Sequence, residues 1–172
     1  MASSRQGSLR EFQARLTEKL RVAASMPTRQ SRLGLMIGQD RYLVKLEDAG
    51  EIVPVPAMTS VPLTADWFRG VCNLRGSLHS VTDLNRFGGG TFTVLDRDSR
   101  LLALGGKLNF NAGILVTRML GLRSVDQMTV SAPANDDSWR GAVMKDADGV
   151  TWQEINLGSL ARDEKYLLVG RG

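Results

Sequence analysis

The sequence is poor in the residues from which catalytic and metal sites are usually built. Its 172 residues include one cysteine, Cys72, and one histidine, His79. One thiol can form no intramolecular disulfide, and a zinc site takes about three or four Cys, His or carboxylate ligands. We therefore predict no metal, no cofactor and a reducing compartment. A thiol hydrolase that uses Cys72 with His79 is kept as an alternative, although no supporting triad can be inferred.

Long apolar runs are also missing from the chain. No segment approaches the roughly 20 residues that a membrane span requires. Residues 1–10 lack the apolar stretch of a secretory signal. We expect a cytoplasmic protein that does not insert directly into a membrane.

The positive charge is unevenly distributed along the chain. There are 22 basic and 18 acidic residues, which gives a net charge of +4. Residues 1–32 hold seven of the basic and two of the acidic residues, so residues 33–172 carry 15 basic and 16 acidic residues. The main body thus lacks the basic face that attracts nucleic acid. A small β-barrel that binds single-stranded nucleic acid is the alternative function, although aromatic residues make up only 6% of the chain.

The N-terminal segment has the pattern of an amphipathic helix. Its apolar side chains recur at spacings of three and four residues, at Leu9, Phe12, Leu16 and Leu20. Ser8 is a candidate N-cap, and Pro27 disfavours helical geometry in the residue before it. We predict a helical extension over residues 1–28 and a domain over residues 29–172. The helix either packs against the domain or docks a partner.

After Ser31 the pattern changes to short apolar or alternating runs separated by turn residues. Such a series is typical of an all-β sandwich or barrel. The predicted strands are Leu33–Ile37, Arg41–Leu46, Glu51–Val55, Gly76–Val81, Phe92–Leu95, Leu101–Leu104, Ala112–Thr117, Ser138–Lys145 and Gly149–Glu154. Pro54 and Pro56 place the third strand at a sheet edge, because proline donates no ladder hydrogen bond. Leucines at 157, 160, 167 and 168 predict a short closing helix.

The densest local pattern lies within residues 67–84, which read WFRGVCNLRGSLHSVTDL. Two aromatic residues lead the segment as candidate anchors, and Gly70 and Gly76 permit unusual backbone angles. Arg75 is a guanidinium beside a tight turn. Its residue type alone leaves two interpretations open, an ordinary surface charge or a positioned contact for a partner.

This segment strongly resembles the hallmark of the CheW family of chemotaxis adaptors, a basic-Gly-Val-x-Asn-Leu-Arg-Gly run that ends in Asp-Leu. Residues 69–76 match that run closely, and the resemblance extends over roughly residues 30–165. The added N-terminal helix, the phrase EIVPVP at residues 51–56 and residues 61–68 resemble the type IV pilus, or twitching-motility, branch called PilI. The chain departs from the family at His79-Ser80, where members often have a proline and branched apolar residues.

The resemblance implies two intertwined five-stranded SH3-like barrels with no active site. It also implies a non-catalytic adaptor that couples two partners, the regulatory domain of a CheA-type histidine kinase and the cytoplasmic tip of a methyl-accepting chemoreceptor. Through them the protein would sit at membrane-associated receptor arrays.

The resemblance also assigns candidate interface residues. By position, Ala49, Glu51 and Ile52 match the kinase-binding edge, although members often carry a larger apolar residue where Ala49 stands. The receptor-binding residues implied by the match are Arg75, Asn73, Gly70 and Gly76. Because the family arginine is paired with the glutamate at Glu51, we expect Glu51 and Arg75 to lie within salt-bridge distance.

Overall fold

The computed structural model of the protein describes residues 30–135 and 137–170, and those from Ser31 onward belong to one unit. The helix predicted between residues 8 and 24 lies outside the described residues, and the domain boundary after residue 28 stays a prediction. No helix in the described ranges is long and apolar enough to cross a membrane.

Two β-sheets, joined by short helices and turns, make up the fold. In chain order the strands are β1 (Ser31–Ile37), β2 (Asp40–Lys45), β3 (Ala49–Pro54), β4 (Phe68–Leu74), β5 (Ser77–Thr82), β6 (Arg100–Leu104), β7 (Ala112–Val116), β8 (Arg118–Ser124), β9 (Thr129–Ala132), β10 (Arg140–Lys145) and β11 (Thr151–Ile155). The helices are α1 (Leu84–Phe87), α2 (Leu157–Leu160) and α3 (Glu164–Leu167), with a 3₁₀ turn at Gly106–Leu108.

Strands from both ends of the described chain share the first sheet. Its order is β8-β1-β2-β11-β10-β9, and the second sheet has the order β3-β6-β7-β5-β4. The two sheets are therefore intertwined in sequence, as expected. The strand number is a correction, because the short strand β9 pairs with β10 and gives the first sheet six strands instead of five.

The core explains why β6 and β7 read as continuous apolar runs. Side chains alternate between the two faces of a strand. Leu102 and Ile114 face a core shared with the first sheet, and Leu101 and Leu115 face a smaller cluster around Cys72 on the opposite side. All four leucine and isoleucine side chains are fully buried. The centre of the second sheet is thus covered on both faces.

Both sheets are curled, because short lengths of chain connect their opposite edges. Only residues 125–128 separate β8 from β9, the two edges of the first sheet. In a flat six-stranded sheet these edges would lie about 24 Å apart, whereas five residue steps reach about 18 Å. In the second sheet, Thr59, which follows the edge strand β3, pairs with Val71 of the other edge strand β4. Within the described residues, no ladder between the two edge strands of either sheet closes it into a barrel.

The prediction of a strand at Phe92–Leu95 is wrong. Side chains hold this segment in place of a ladder. Asp83 accepts hydrogen bonds from the backbone N–H and the hydroxyl of Thr93, both at 2.7 Å. Asn85 Nδ2 donates to the carbonyl oxygen of Thr91 at 2.8 Å. Such local side-chain bonds offer the backbone an alternative to sheet pairing.

The predicted closing helix is divided in two. Asn156 caps α2, and Asp163 accepts a hydrogen bond from the N–H of Tyr166 and starts α3 anew. Both leucines of α2 are fully buried, whereas Leu167 and Leu168 at the end of α3 are exposed. Tyr166 instead carries the packing of α3, since its ring stacks on Trp67 with the centroids 5.6 Å apart.

We expect Asp83→Ala to lower the free energy of unfolding by about 3–5 kcal/mol. The Asp83 side chain is fully buried and lies 3.5 Å from the Arg69 guanidinium. Without the carboxylate, the Arg69 charge and the two Thr93 donors would have no partner at this position. Urea unfolding followed by tryptophan fluorescence measures the change. The control Asp98→Ala removes an exposed carboxylate and should shift the value by less than about 0.5 kcal/mol. Equal effects for the two variants would contradict the role given to Asp83.

Candidate protein-interaction site

The predicted kinase-binding residues lie on an edge strand, as the two prolines indicated. β3 pairs with β6 on one side and is at the edge of the second sheet. A bulge between Ala49 and Ile52 interrupts the register. Ala49 packs against the shared core, whereas the side chain of Ile52 is 40% exposed. Ile52 therefore offers an apolar side chain that a partner can reach.

A two-residue turn between β4 and β5 presents Arg75. Leu74 and Ser77 pair in the ladder, and Arg75 and Gly76 between them have φ values of 51° and 86°. Positive φ at both positions is the mark of a type I′ hairpin turn, which usually has Asn, Asp or Gly at its first position. An arginine there costs about 1–2 kcal/mol. Strain of this kind points to a side chain retained for its contacts.

Asn73 holds the turn through a side-chain hydrogen bond, whereas Gly70 lies earlier in β4 against Thr59. The side-chain oxygen of Asn73 accepts a hydrogen bond from the backbone N–H of Gly76 at 2.8 Å. Gly70 is buried, with a φ of 122°, and a Cβ at this position would lie 2.2 Å from the carbonyl oxygen of Thr59. Of the four predicted receptor-binding residues, only Arg75 thus extends a long side chain away from the fold.

Arg75 and Glu51 meet, and the prediction of their proximity is confirmed. Arg75 Nη2 lies 2.7 Å and Nε 3.0 Å from the same carboxylate oxygen, Glu51 Oε1. The Arg75 side chain is 82% exposed and that of Glu51 is 35% exposed. An exposed ion pair stabilises a fold by about 0–1 kcal/mol. Its main consequence is geometric, because it fixes the direction of the guanidinium and joins the edge strand to the turn.

The structure shows a second cluster beside the motif that the sequence does not predict. The guanidinium groups of Arg69 and Arg86 lie 5.4 Å and 5.1 Å from the ring centre of Phe92, which is 49% exposed. Phe92 and Phe68 also line an open cavity of about 730 Å³. The alternating apolar pattern at residues 92–95 is the only sequence signal near this cluster, and it favours a strand.

Cys72 and His79 are closer together than the sequence alone indicates. The register of β4 and β5 places them directly opposite each other. Cys72 is only 3% exposed, however, and burial raises the pKa of its thiol. His79 Nδ1 lies 3.1 Å from the carbonyl oxygen of Ser77. Because a nucleophilic cysteine needs a lowered pKa and solvent access, this geometry does not favour a thiol hydrolase.

The departure from the family pattern at His79-Ser80 is accommodated by polar contacts. Ser80 donates its backbone N–H to the carbonyl oxygen of Asn111 at 3.0 Å, where β5 begins to pair with β7. His79 is partly exposed. This part of β5 therefore presents polar groups in place of apolar ones.

Comparison with known proteins identifies the family. The family model of the CheW-like domain matches residues 32–165, and the chain belongs to that family. Protein PilI of Pseudomonas aeruginosa is 29% identical over 109 residues, which are 60% of this chain and 61% of the relative. The crystal structure of the scaffolding protein TtCheW from Thermoanaerobacter tengcongensis superposes with a TM-score of 0.63 and 21% identity, covering 75% of this chain and 90% of that one. Because the identity to TtCheW is only 21%, this likeness shows the fold alone.

Gly70→Ala should destabilise the protein by about 3 kcal/mol or more, since the new Cβ meets the Thr59 backbone and the φ value suits glycine alone. Gly76→Ala, whose added Cβ has no neighbour within 4 Å, should cost only about 1–2 kcal/mol through its positive φ. Gly106→Ala has neither problem and is the control. Thermal unfolding of the three variants should follow this order, and a Gly70→Ala variant as stable as Gly106→Ala would refute the close approach.

Iodoacetamide should alkylate Cys72 slowly at neutral pH. With the pKa raised by burial, the reactive thiolate accumulates only at a pH above the usual range of a thiol. Mass spectrometry of timed samples measures the rate. A Cys72→Ser/Ser77→Cys double variant, which moves the thiol to an exposed position, is the control and should react faster. Faster labelling of Cys72 itself would reopen the enzyme interpretation.

Proposed function

We propose that the protein is a non-catalytic adaptor that couples chemoreceptors to a CheA-type histidine kinase in the control of type IV pilus, or twitching, motility. The Glu51–Arg75 ion pair carries the proposal, because it joins the two surfaces that the family resemblance assigns to different partners. Membership of the CheW-like family and the likeness to PilI support it.

The kinase would bind at the exposed edge of β3. An edge strand offers unpaired backbone groups, and Ile52 adds an apolar contact beside them. In this proposal the two curled sheets act as SH3-like barrels, and the regulatory domain of the kinase packs on the second sheet. The proposed kinase-binding residues are Ala49, Glu51 and Ile52. Apolar contact supplies most of the affinity, and the charge of Glu51 fixes the register.

The chemoreceptor tip would bind at the turn between β4 and β5. A guanidinium has five N–H donors in a rigid plane, and the ion pair uses those of Nε and Nη2. The remaining donors of Arg75 are directed by that pair toward a receptor carboxylate or carbonyl group. Arg75 makes the contact, while Asn73, Gly70 and Gly76 support the turn that presents it.

The ion pair also suggests how receptor state reaches the kinase. Glu51 lies on the proposed kinase surface and Arg75 on the proposed receptor surface. A receptor that binds Arg75 and shifts its guanidinium therefore changes the contacts of Glu51. The free energies of receptor binding and kinase binding thereby become coupled. The adaptor works in the cytoplasm, at membrane-associated receptor arrays that it reaches through these partners.

Binding of the full chain to an isolated kinase regulatory domain and to a receptor-tip fragment tests the proposal. Arg75→Glu places two carboxylates together and should weaken receptor binding by at least about tenfold. Ile52→Ser should weaken kinase binding by about fivefold, since it removes roughly 1 kcal/mol of apolar burial. Isothermal titration calorimetry at low salt measures both affinities.

Arg97→Glu is the matched control, because it reverses an exposed charge outside the proposed surfaces. It should leave both affinities unchanged. A wild-type chain that binds neither the kinase domain nor the receptor tip would contradict the adaptor function.

A further inference from the structure

A polar cavity lies on the first sheet, away from the strands that carry Glu51 and Arg75. It has a volume of about 280 Å³ and is formed where β2, β11 and β10 lie side by side. The polar side chains around it are Asp40, Arg41, Tyr42, Arg140, Thr151 and Gln153. We call this cavity the Tyr42 pocket.

Tyr42 brings an unused hydroxyl group to the pocket. Only 5% of the residue is exposed, and its hydroxyl has no hydrogen-bond partner among the described residues. No fully buried polar side-chain atom in those residues lacks a partner, so the hydroxyl must be the accessible part of Tyr42. Tyr166 shows the contrast, because this residue is also almost fully buried but its hydroxyl lies 3.0 Å from Thr82 Oγ1. The Tyr42 hydroxyl therefore opens into the pocket without an internal bond.

Two arginines, Arg41 and Arg140, line the same pocket. Arg140 is held in place, since its guanidinium stacks 4.7 Å above the ring of Trp139 and Nη2 lies 3.4 Å from the carbonyl oxygen of Gly88. The guanidinium of Arg41 makes no hydrogen bond or ion pair within residues 30–135 and 137–170. Burial and the charge of Asp40 raise the pKa of Tyr42, so its hydroxyl stays protonated at neutral pH and can donate.

Charge and size define the ligand class. Two guanidinium groups and one carboxylate leave the lining with one net positive charge, which a single negative charge balances. The volume lies just below the roughly 300–1,000 Å³ of small-molecule sites, and it suits an inserted side chain. The planar guanidinium matches a carboxylate geometrically. We propose that the Tyr42 pocket binds the carboxylate of an acidic side chain presented by a protein partner.

This proposal is independent of the adaptor function. It uses neither Glu51 nor Arg75, and its test requires neither the kinase nor the receptor. A failure of one proposal therefore leaves the other standing.

Titration of the full chain with propionate, which has the carboxylate end of a glutamate side chain, tests the proposal. We expect saturable NMR shifts at Tyr42 and at the Nε–H groups of Arg41 and Arg140, measured at constant ionic strength. Propionamide, the uncharged analogue, should produce none. A blocked tripeptide, acetyl-Ala-Glu-Ala-amide, should bind at least as tightly as propionate. Inorganic phosphate should bind more weakly, because Asp40 disfavours a second negative charge.

Variants separate binding from folding. Arg140→Gln should weaken propionate binding by at least about tenfold, as expected for the loss of a charged hydrogen bond. Tyr42→Phe should weaken it by a smaller factor and leave the melting temperature unchanged, because the hydroxyl makes no bond in the free protein. Tyr166→Phe, which loses a buried bond, should lower the melting temperature. Arg97→Gln is the control for charge and should bind like the wild type.

Each of several results would overturn the proposal. They are the absence of saturable shifts at the Tyr42 pocket, equal binding of propionamide, tighter binding of phosphate, and an effect of Arg97→Gln as large as that of Arg140→Gln. Exclusion of the tripeptide from a pocket that accepts propionate would likewise rule out a partner side chain as the ligand.

Discussion

The close approach of Thr59 to Gly70 is the contact on which the candidate site depends. Thr59 and Val71 exchange two backbone hydrogen bonds, at 2.8 Å and 2.9 Å, and these bonds tie the chain that leaves β3 to the opposite edge strand β4. Any side chain at position 70 would collide with the Thr59 carbonyl. Because the contact curls the second sheet, Glu51 on one edge comes within reach of Arg75 beside the other. A flat sheet of the same strands would separate these edges by about 19 Å.

The segment at residues 67–84 therefore combines two kinds of residue. Trp67 and Asp83 are buried and build the interior, one in a stack with Tyr166 and the other as the cap of α1 and the acceptor for Thr93. Asn73 and the glycines shape the backbone. Arg75 contributes little to the interior and much to the surface. Within the segment, the turn held by Asn73 presents the Arg75 guanidinium, and Glu51 fixes its direction.

Sequence patterns predicted the elements whose cause is local. Apolar patterns predicted nine strands, and eight of these predictions correspond to strands of the structure. Pro54 correctly indicated that β3 is an edge strand. The failures arise from contacts between residues distant in the chain or from weak alternation. Phe92–Leu95 has a strand composition, but bonds to Asp83 and Asn85 replace its ladder. β4, β8 and β9 were not predicted as strands, and β8 is largely exposed and shows no burial alternation.

The candidate site was predictable in its residues and not in its geometry. The family resemblance brought Glu51 and Arg75 together as an expectation, but the type I′ turn and the support from Asn73 follow from backbone angles that residue types do not specify. The Tyr42 pocket had no signal at all in the sequence, because its lining comes from three strands that meet only after β11 pairs in parallel with β2.

In the proposed adaptor, Glu51 and Arg75 act on binding through each other. A double-mutant cycle tests this directly, with kinase-domain affinity measured for the wild type, Glu51→Ala, Arg75→Ala and the double variant in the presence of the receptor tip. We expect that the effects of the two single substitutions do not add, with a coupling of about 0.5 kcal/mol or more. Strictly additive effects would show that the ion pair is a surface contact without a part in signalling.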